Sequence, residues 1–309
     1  MKKSLVYLSV VTLSLAVLFT ACKKDSASKT DNSAEVATTT DDQSRFSTES
    51  DAAVNDANAS LESSASMTGR EEGLQGLICD ATVTIDSISS VKTITITYNG
   101  TNCSLTRTRT GKVVISMAAG VHWRNAGAVV TIDFQNLKIT RLIDNKSITI
   151  NGTHTYTNVS GGLLVNLPNV QPITHTITSS NMSVTFDDGT QRTWQVARQR
   201  VFTYSDGIVI TISGTHTEGT ATNVAEWGIN RFGKAFTTSI TEPLVIKQNC
   251  SFRLTGGKIT HVTPSVTASV TYGLDVNGNA TTCPGVGVYY FKAVWTGPNG
   301  NSISVILPY

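Results

Sequence analysis

Ser147-Ile148-Thr149-Ile150-Asn151-Gly152-Thr153-His154-Thr155 is the stretch that decides the fold class. Isoleucine and threonine alternate with a period of two, which puts apolar side chains on one face of a strand and hydroxyls on the other. The same alternation marks Ala81, Val83 and Ile85, then Ile94, Ile96 and Tyr98, then Val113, Ile115 and Met117. From Val130 the apolar parity runs through Ile132 and Phe134 and then switches to Leu137 and Ile139, which predicts a bulge or bend near Gln135 and Asn136. Further strands are predicted over 182–186, 190–204, 208–217, 236–241, 245–254, 266–272, 286–295 and 302–307. Asn99-Gly100, Asp188-Gly189, Asp206-Gly207, Gly256-Gly257, Asn277-Gly278 and Asn299-Gly300 are dipeptides that tight hairpins demand. Short connections force antiparallel neighbours, and 77–309 shows no helical period of useful length. The expected fold is all-β: antiparallel multi-stranded sheets, as a sandwich or one extended twisted sheet.

The opening stretch is echoed by Val209-Ile210-Thr211-Ile212-Ser213-Gly214-Thr215-His216-Thr217, so the body divides into possible halves, 77–162 and 163–309, with a seam from Gly161 to Pro172. Near the end, 286–295 is apolar on both parities through Tyr289, Tyr290, Phe291, Val294 and Trp295, which predicts a strand covered on both sides.

Residues 23–76 are built from Ser, Thr, Asp, Asn, Ala and Glu with few large apolar side chains. Such a segment buries too little surface to offset the entropy of ordering it, and a flexible tether over 22–76 is expected. Val54, Asn58, Leu61 and Ala65 recur at helical spacing between Glu49 and Met67, enough for one marginal helix. Charge divides unevenly: residues 23–76 hold five bases and eleven acids, residues 77–309 seventeen bases and eleven acids. A modestly basic body suits acidic glycans or lipid headgroups, and without a clustered Lys/Arg run or aromatic RNA motif it excludes a nucleic-acid partner.

Residues 1–21 combine Lys2 and Lys3, an apolar run from Leu5 to Phe19, and small residues at the cut, the pattern of a secretory signal. Leu18-Phe19-Thr20-Ala21-Cys22 resembles a bacterial lipobox, in which Cys22 becomes the lipidated first residue of the mature chain. Four further cysteines, Cys79, Cys103, Cys250 and Cys283, fit an oxidising compartment and allow three connectivities. Cys79 with Cys103 and Cys250 with Cys283 is favoured, because each pair brackets a candidate hairpin. Their spacing matches no common zinc pattern.

A longer series of motifs supports this address. Cys79 and Cys103 precede Thr106-Arg107-Thr108-Arg109-Thr110-Gly111-Lys112-Val113-Val114-Ile115; then come Asp133-Phe134-Gln135-Asn136, Asn151-Gly152-Thr153, Arg192 to Trp194, Ser239-Ile240-Thr241-Glu242-Pro243-Leu244-Val245 and Cys250. In this order they resemble a group of uncharacterised β-rich lipoproteins of Bacteroidota. The resemblance implies a secreted β-rich body behind a lipid anchor and carries no activity or catalytic residues. The chain departs from the group at Asp275 to Cys283, where an Asp-Gly-Thr-Cys-Asp turn is expected. Lys24-Asp25 matches the group's surface-export signal only in part, which leaves the leaflet open. Asp25-Ser26-Ala27 and Asp86-Ser87-Ile88 resemble its O-glycosylation acceptor pattern.

No Gly-x-Ser-x-Gly elbow, His-Glu-x-x-His, phosphate-cradling loop or EF-hand spacing occurs, and no cofactor is expected. His154 and His216 hold the same place in the echoed motif; paired in space, with Glu218 or Glu226, they are weak metal candidates against a hydrogen-bonded strand-end role. Arg192, Trp194, Arg198 and Arg200 share one strand parity with Phe202 and Tyr204, a stripe that grips a sugar or anionic polymer, or else covers aromatic rings with arginine stems. Arg107, Arg109 and Lys112 read as a solvated strand edge. Asp187 and Asp188 read as turn acids. The expected function is that of a lipid-anchored outer-membrane protein, a structural or binding module for glycan or another envelope protein. A carrier of lipid or another apolar ligand is the alternative, and a hydrolase using Asp133, Asp206 or Glu226 the lesser one.

Overall fold

A computed structural model describes residues 33–66, 78–170, 172–283, 288–296 and 302–309. The signal segment, the lipobox with Cys22 and Lys24-Asp25 lie outside the described residues. The alternating stretches form a single fifteen-stranded sheet. Its strands are β1 (Ala81–Asp86), β2 (Lys92–Thr101), β3 (Arg107–Met117), β4 (Ala128–Arg141), β5 (Ser147–Asn158), β6 (Ile173–Phe186), β7 (Gln191–Tyr204) and β8 (Ile208–Gly214). They continue with β9 (His216–Glu218), β10 (Ala221–Ile229), β11 (Ala235–Lys247), β12 (Arg253–Thr263), β13 (Val266–Leu274), β14 (Tyr290–Thr296) and β15 (Ser302–Pro308). All pairings are antiparallel, as the short connections require. Strands follow chain order except where β8 and β10 share the slot between β7 and β11, β8 pairing the 198–204 part of β7 and β10 the 193–196 part. The expected seam at 161–172 is a connection, and the sheet continues across it through the β5–β6 pairing.

The sheet bends along a line of bulges. The register of β4 on β5 shifts between Phe134 and Leu137, where the parity switch predicts it. Further shifts follow on β5–β6 between Asn151 and Thr155 and on β6–β7 between Ser179 and Met182. Gly152 shows why the opening stretch carries a glycine: its φ is 120°, and a Cβ there would lie 2.6 Å from the Asn181 carbonyl oxygen. The echoed Gly214 likewise meets the Asn223 carbonyl. The repeated motif is thus a repeated bend, one in each part of the sheet.

The tether expectation is corrected over the helix α1 (Ser33–Ser66). From Val36 onward the chain belongs to one compact unit with the sheet. Between Thr39 and Leu61 no residue is exposed, so the helix is enclosed on all sides. Phe46, Ala53, Val54, Ala57 and Leu61 join one apolar cluster with Ile96, Val113, Ile132, Ile150 and Val184 of the sheet. Val54, Asn58 and Leu61 are buried as their spacing predicts, but the helix starts sixteen residues before Glu49. The sheet curls round it. Arg253 of β12 lies within electrostatic reach of Arg107 of β3, although seven pairings separate those strands.

β14 departs from the two-sided expectation. Phe291, Ala293 and Trp295 are buried, while Lys292 is exposed and Tyr290 and Val294 are half-buried, so only one face is covered. The disulfides are Cys79–Cys103 and Cys250–Cys283, as the hairpin argument favours. Replacing Gly152 by Val is expected to destabilise the chain by about 3 kcal/mol, since a branched side chain must both adopt positive φ and displace the β6 backbone. Gly189→Ala, at a turn with open space around it, is the control. Equal denaturation midpoints for the two variants would refute the bend.

Candidate functional site

The concave face of the sheet collects the arginines, and α1 supplies their partners. On β7 the alternation of strand geometry sends Arg192, Trp194, Arg198 and Arg200 inward, where all four are buried. The stripe predicted from the sequence exists, but it faces α1 and is not an open sugar platform. Arginine stacks on its neighbours: Arg192 lies 3.9 Å from the Phe236 ring and 4.7 Å from Trp194, and Arg200 lies 5.7 Å from Phe202. Phe46 of α1 packs on Trp194.

Glu226 of β10, fully buried, is the hub of this region. It pairs with Arg198 and accepts hydrogen bonds from Gln43 and from the Ser47 hydroxyl, the latter at 2.8 Å. Asp51 takes the other side of Arg198 at 2.8 Å. Arg192 donates to the Gln43 amide oxygen and Arg200 to the Asn55 amide oxygen. Gln43 therefore needs an amide: its oxygen serves Arg192 while its NH2 serves Glu226. Nε and Nη1 of both Arg192 and Arg200 have no partner among the described residues.

Other helix acids meet other strands. Asp41 lies 3.3 Å from Arg141, Asp42 2.6 Å from Arg231, and Asp56 2.7 Å from Arg109 and 2.9 Å from the Tyr98 hydroxyl. Glu49 pairs with Arg107. Arg109 also forks onto Asp80 at 2.5 and 2.6 Å. Glu62 accepts from Trp123 at 3.0 Å and from the Leu164 N–H at 2.7 Å. Arg107 and Arg109 are thus inward counter-ions, not a solvated edge, while Lys112 is exposed as expected.

Three buried histidines lie beside these arginines. Burial pushes His154, His175 and His261 each down to about 3, with Arg198, Arg200 and Arg192 respectively adding to the effect. His175 Nδ1 shares a 2.6 Å hydrogen bond with Tyr156 and His261 Nδ1 a 2.9 Å bond with Thr238, whereas neither ring nitrogen of His154 has a partner among the described residues. Burial also raises Glu62 to about 7 and Asp42 to about 6, against the pull of their donors.

The remaining predicted sites lie apart. His154 packs on Phe134 inside, whereas His216 stacks on Trp227 and bonds Glu218 at 3.0 Å at the partly exposed β9. No group of three metal-ligating side chains occurs among the described residues. Asp133 bonds Gln135 and Thr153 on the outer side of β4, and Asp206 sits in the β7–β8 turn with Asn249, so neither joins Glu226. Asp188 bonds the Thr190 backbone and side chain, a turn role, and adds a 3.0 Å contact to Arg231. Compared with known proteins, the chain matches no family model, no curated protein and no solved structure.

Asn55→Asp gives Arg200 a carboxylate and is expected to raise stability by about 1 kcal/mol, while Gln43→Glu sets a second buried carboxylate against Glu226 and lowers it by about 3 kcal/mol. Thermal midpoints at neutral pH measure both, and a stabilising Gln43→Glu would refute the bridging role. For pH, the unfolded histidines titrate near 6.5, so the stability gained by keeping them neutral is whole above that value and drains away as pH falls toward about 3. Glu62 and Asp42 act in the opposite sense, but three histidines outnumber them below about pH 6. Denaturant midpoints are expected to fall below about pH 6, with a shallower fall in His154→Phe.

Proposed function

We propose that this chain is a lipid-anchored cell-envelope protein, held in the outer membrane through acylated Cys22, that works as a structural or binding module for glycan or another envelope protein. The lipobox, the oxidised cysteines and the resemblance to Bacteroidota lipoproteins support the address. The observation that carries the role is the filled interior: the charged and aromatic side chains that converge there are engaged by the chain's own helix, which leaves recognition to the outer surface. That surface is rich in hydroxyls. Asp86, Thr93, Ser116, Thr131, Thr155 and Thr178 stand in one cross-strand row over β1 to β6. Neighbouring strands lie about 4.8 Å apart, so the row is a ladder of hydroxyls, each both donor and acceptor, ending on the Asp86 carboxylate and suited to polar polymers. A carrier for apolar ligands draws no support from this interior, which is lined by arginine and occupied by α1.

Metabolic labelling with palmitate is expected to mark the wild-type chain and not Cys22→Ala; label retained by that variant refutes the anchor. On a glycan array the triple variant Thr131→Val, Thr155→Val, Thr178→Val is expected to lose the binding of the parent. Binding equal to the parent's would place recognition elsewhere.

A further inference from the structure

Arg192 is a buried guanidinium that meets no carboxylate among the described residues. Asp42, whose charge acts on it, has both oxygens taken by Arg231, at 2.7 Å to Nε and 2.6 Å to Nη2. Arg192 is left with the Gln43 amide oxygen, reached through its own Nη2. Its Nε and Nη1 have no partner among the described residues, although the residue is only 1% exposed. An unmatched charge withdrawn from water is costly and calls for a partner.

Further orphaned nitrogens stand round it, brought there by the strand register. Trp194 lies two residues along β7, its ring 4.7 Å from the guanidinium carbon. Ile229 of β10 pairs with Thr193, which sets the next residue, Asn230, across from Arg192. Phe236 of β11 lies 3.9 Å from the guanidinium carbon, and His261 of β12 stacks on Phe236 at 5.3 Å. Gly228, between Trp194 and Phe236 in the cross-strand row, adds no side chain there. Trp194 Nε1, Asn230 Nδ2 and His261 Nε2 are each buried and unpartnered among the described residues. Two of them are oriented by their neighbours. Asn230 Oδ1 accepts from the Phe232 and Lys234 N–H groups at 3.0 and 2.9 Å, which turns the amide NH2 away from that turn. His261 Nδ1 is held by Thr238 at 2.9 Å, which turns Nε2 the other way.

Every orphan named here is a nitrogen, and in the tautomer where Thr238 donates to His261 every one is a donor. The unpartnered amide oxygens of the interior, Asn58 Oδ1 and Asn158 Oδ1, lie toward the other strand end, where Asn158 donates to the Trp123 carbonyl. A water molecule accepts hydrogen bonds but brings two hydrogens of its own that need acceptors. An anion brings none, and it matches the charge as well.

We propose that Arg192, Trp194, Asn230 and His261 form a binding site for a small inorganic anion, a halide or an oxyanion, held between β7, the end of β10 and β12. The anion answers Arg192 as the carboxylates of α1 answer Arg109, Arg198 and Arg231. Because it sits beside the guanidinium that holds Gln43, its binding strengthens the seat of the helix. Solvent is near: Arg231, next to Asn230 in the chain, reaches Asp188, whose side chain is 52% exposed. The site is separate from the outer hydroxyl row and does not depend on the anchor.

The test uses the full chain in non-ionic detergent, with sodium gluconate, too bulky an anion for the site, as background salt. Sodium chloride, bromide, phosphate or sulfate then replaces gluconate at constant ionic strength. The expected result is a saturable rise of the thermal midpoint with at least one of these anions, by about 3 °C at roughly tenfold excess over its dissociation constant. Asn230→Asp keeps the oxygen that accepts from Phe232 and Lys234 and aims a second carboxylate oxygen at Arg192, so it supplies the anion from within. That variant is expected to melt higher than the parent in gluconate and to lose the response to added anion. Midpoints equal in all salts, a rise that does not saturate, or a response kept in full by Asn230→Asp each overturns the site. Because a variant at a turn can fail to fold, crystals of the unaltered chain grown with bromide and with selenate give a second reading. An anomalous peak beside Arg192 Nη1 is expected in one of them, and its absence from both overturns the proposal.

Discussion

The structure depends on the pairing of an acidic helix with inward-pointing arginines. Buried charge is tolerated only where it is matched, and the loss of one partner strands the other in a medium that cannot solvate it. Here the matching is distributed. Asp41, Asp42, Glu49, Asp51 and Asp56 each meet a different arginine, contributed by β3, β4, β7 and the β10–β11 turn. No rotation or sliding of α1 preserves all of these contacts, so the pairs fix its position more firmly than its few apolar side chains do. Gln43 sharpens this further, since a neutral amide is the group that serves a guanidinium and a carboxylate together.

The curved sheet follows from the same constraint. A flat sheet offers its arginines to water, where pairing contributes little. The bulges at Asn136 and Gly152 bend it, and closure round the helix lowers the local dielectric in which the pairs act. Neutral histidines fit this interior, since a charged imidazole beside Arg192, Arg198 or Arg200 would repel without a carboxylate to absorb it. The disulfides brace connections between strands, and Asp80, beside Cys79, reaches Asp56 of the helix through Arg109.

Much of the sheet was legible because strands advertise themselves locally: the Ile-Thr alternation, the turns at Asp188-Gly189, Asp206-Gly207 and Asn277-Gly278 and the parity switch at Phe134 each need only a few residues, whereas Asn99-Gly100 and Gly256-Gly257 are not turns but lie within β2 and β12. Strand β10 was missed because a bulge between Val224 and Glu226 buries Val224, Ala225 and Glu226 in succession and erases the alternation. The first part of β6 was hidden behind Pro172. The helix was misjudged for a different reason. Its composition, taken alone, is that of a solvated linker, and its arginine partners lie far along the chain, from 53 residues for Asp56 and Arg109 to 189 for Asp42 and Arg231. Beyond the helical spacing of Val54, Asn58 and Leu61, the sequence signal was the opposed charge of residues 23–76 and 77–309, which suggested an external acidic ligand where the acidic ligand is internal. Likewise the parity of Arg192 to Arg200 was correct, but which face of β7 is concave is a property of the whole sheet.

Chain order gives the enclosed helix a consequence for biogenesis. A polypeptide made amino terminus first delivers α1 before any strand exists to receive it, and the arginine nearest Asp42 follows only after most of the sheet has emerged. A hydrophobic core helix would be a hazard in that interval, prone to stick to other chains. An acidic, serine- and threonine-rich segment can wait in water without harm, so the polarity that disguises it as a linker is also what lets it be made first and buried last.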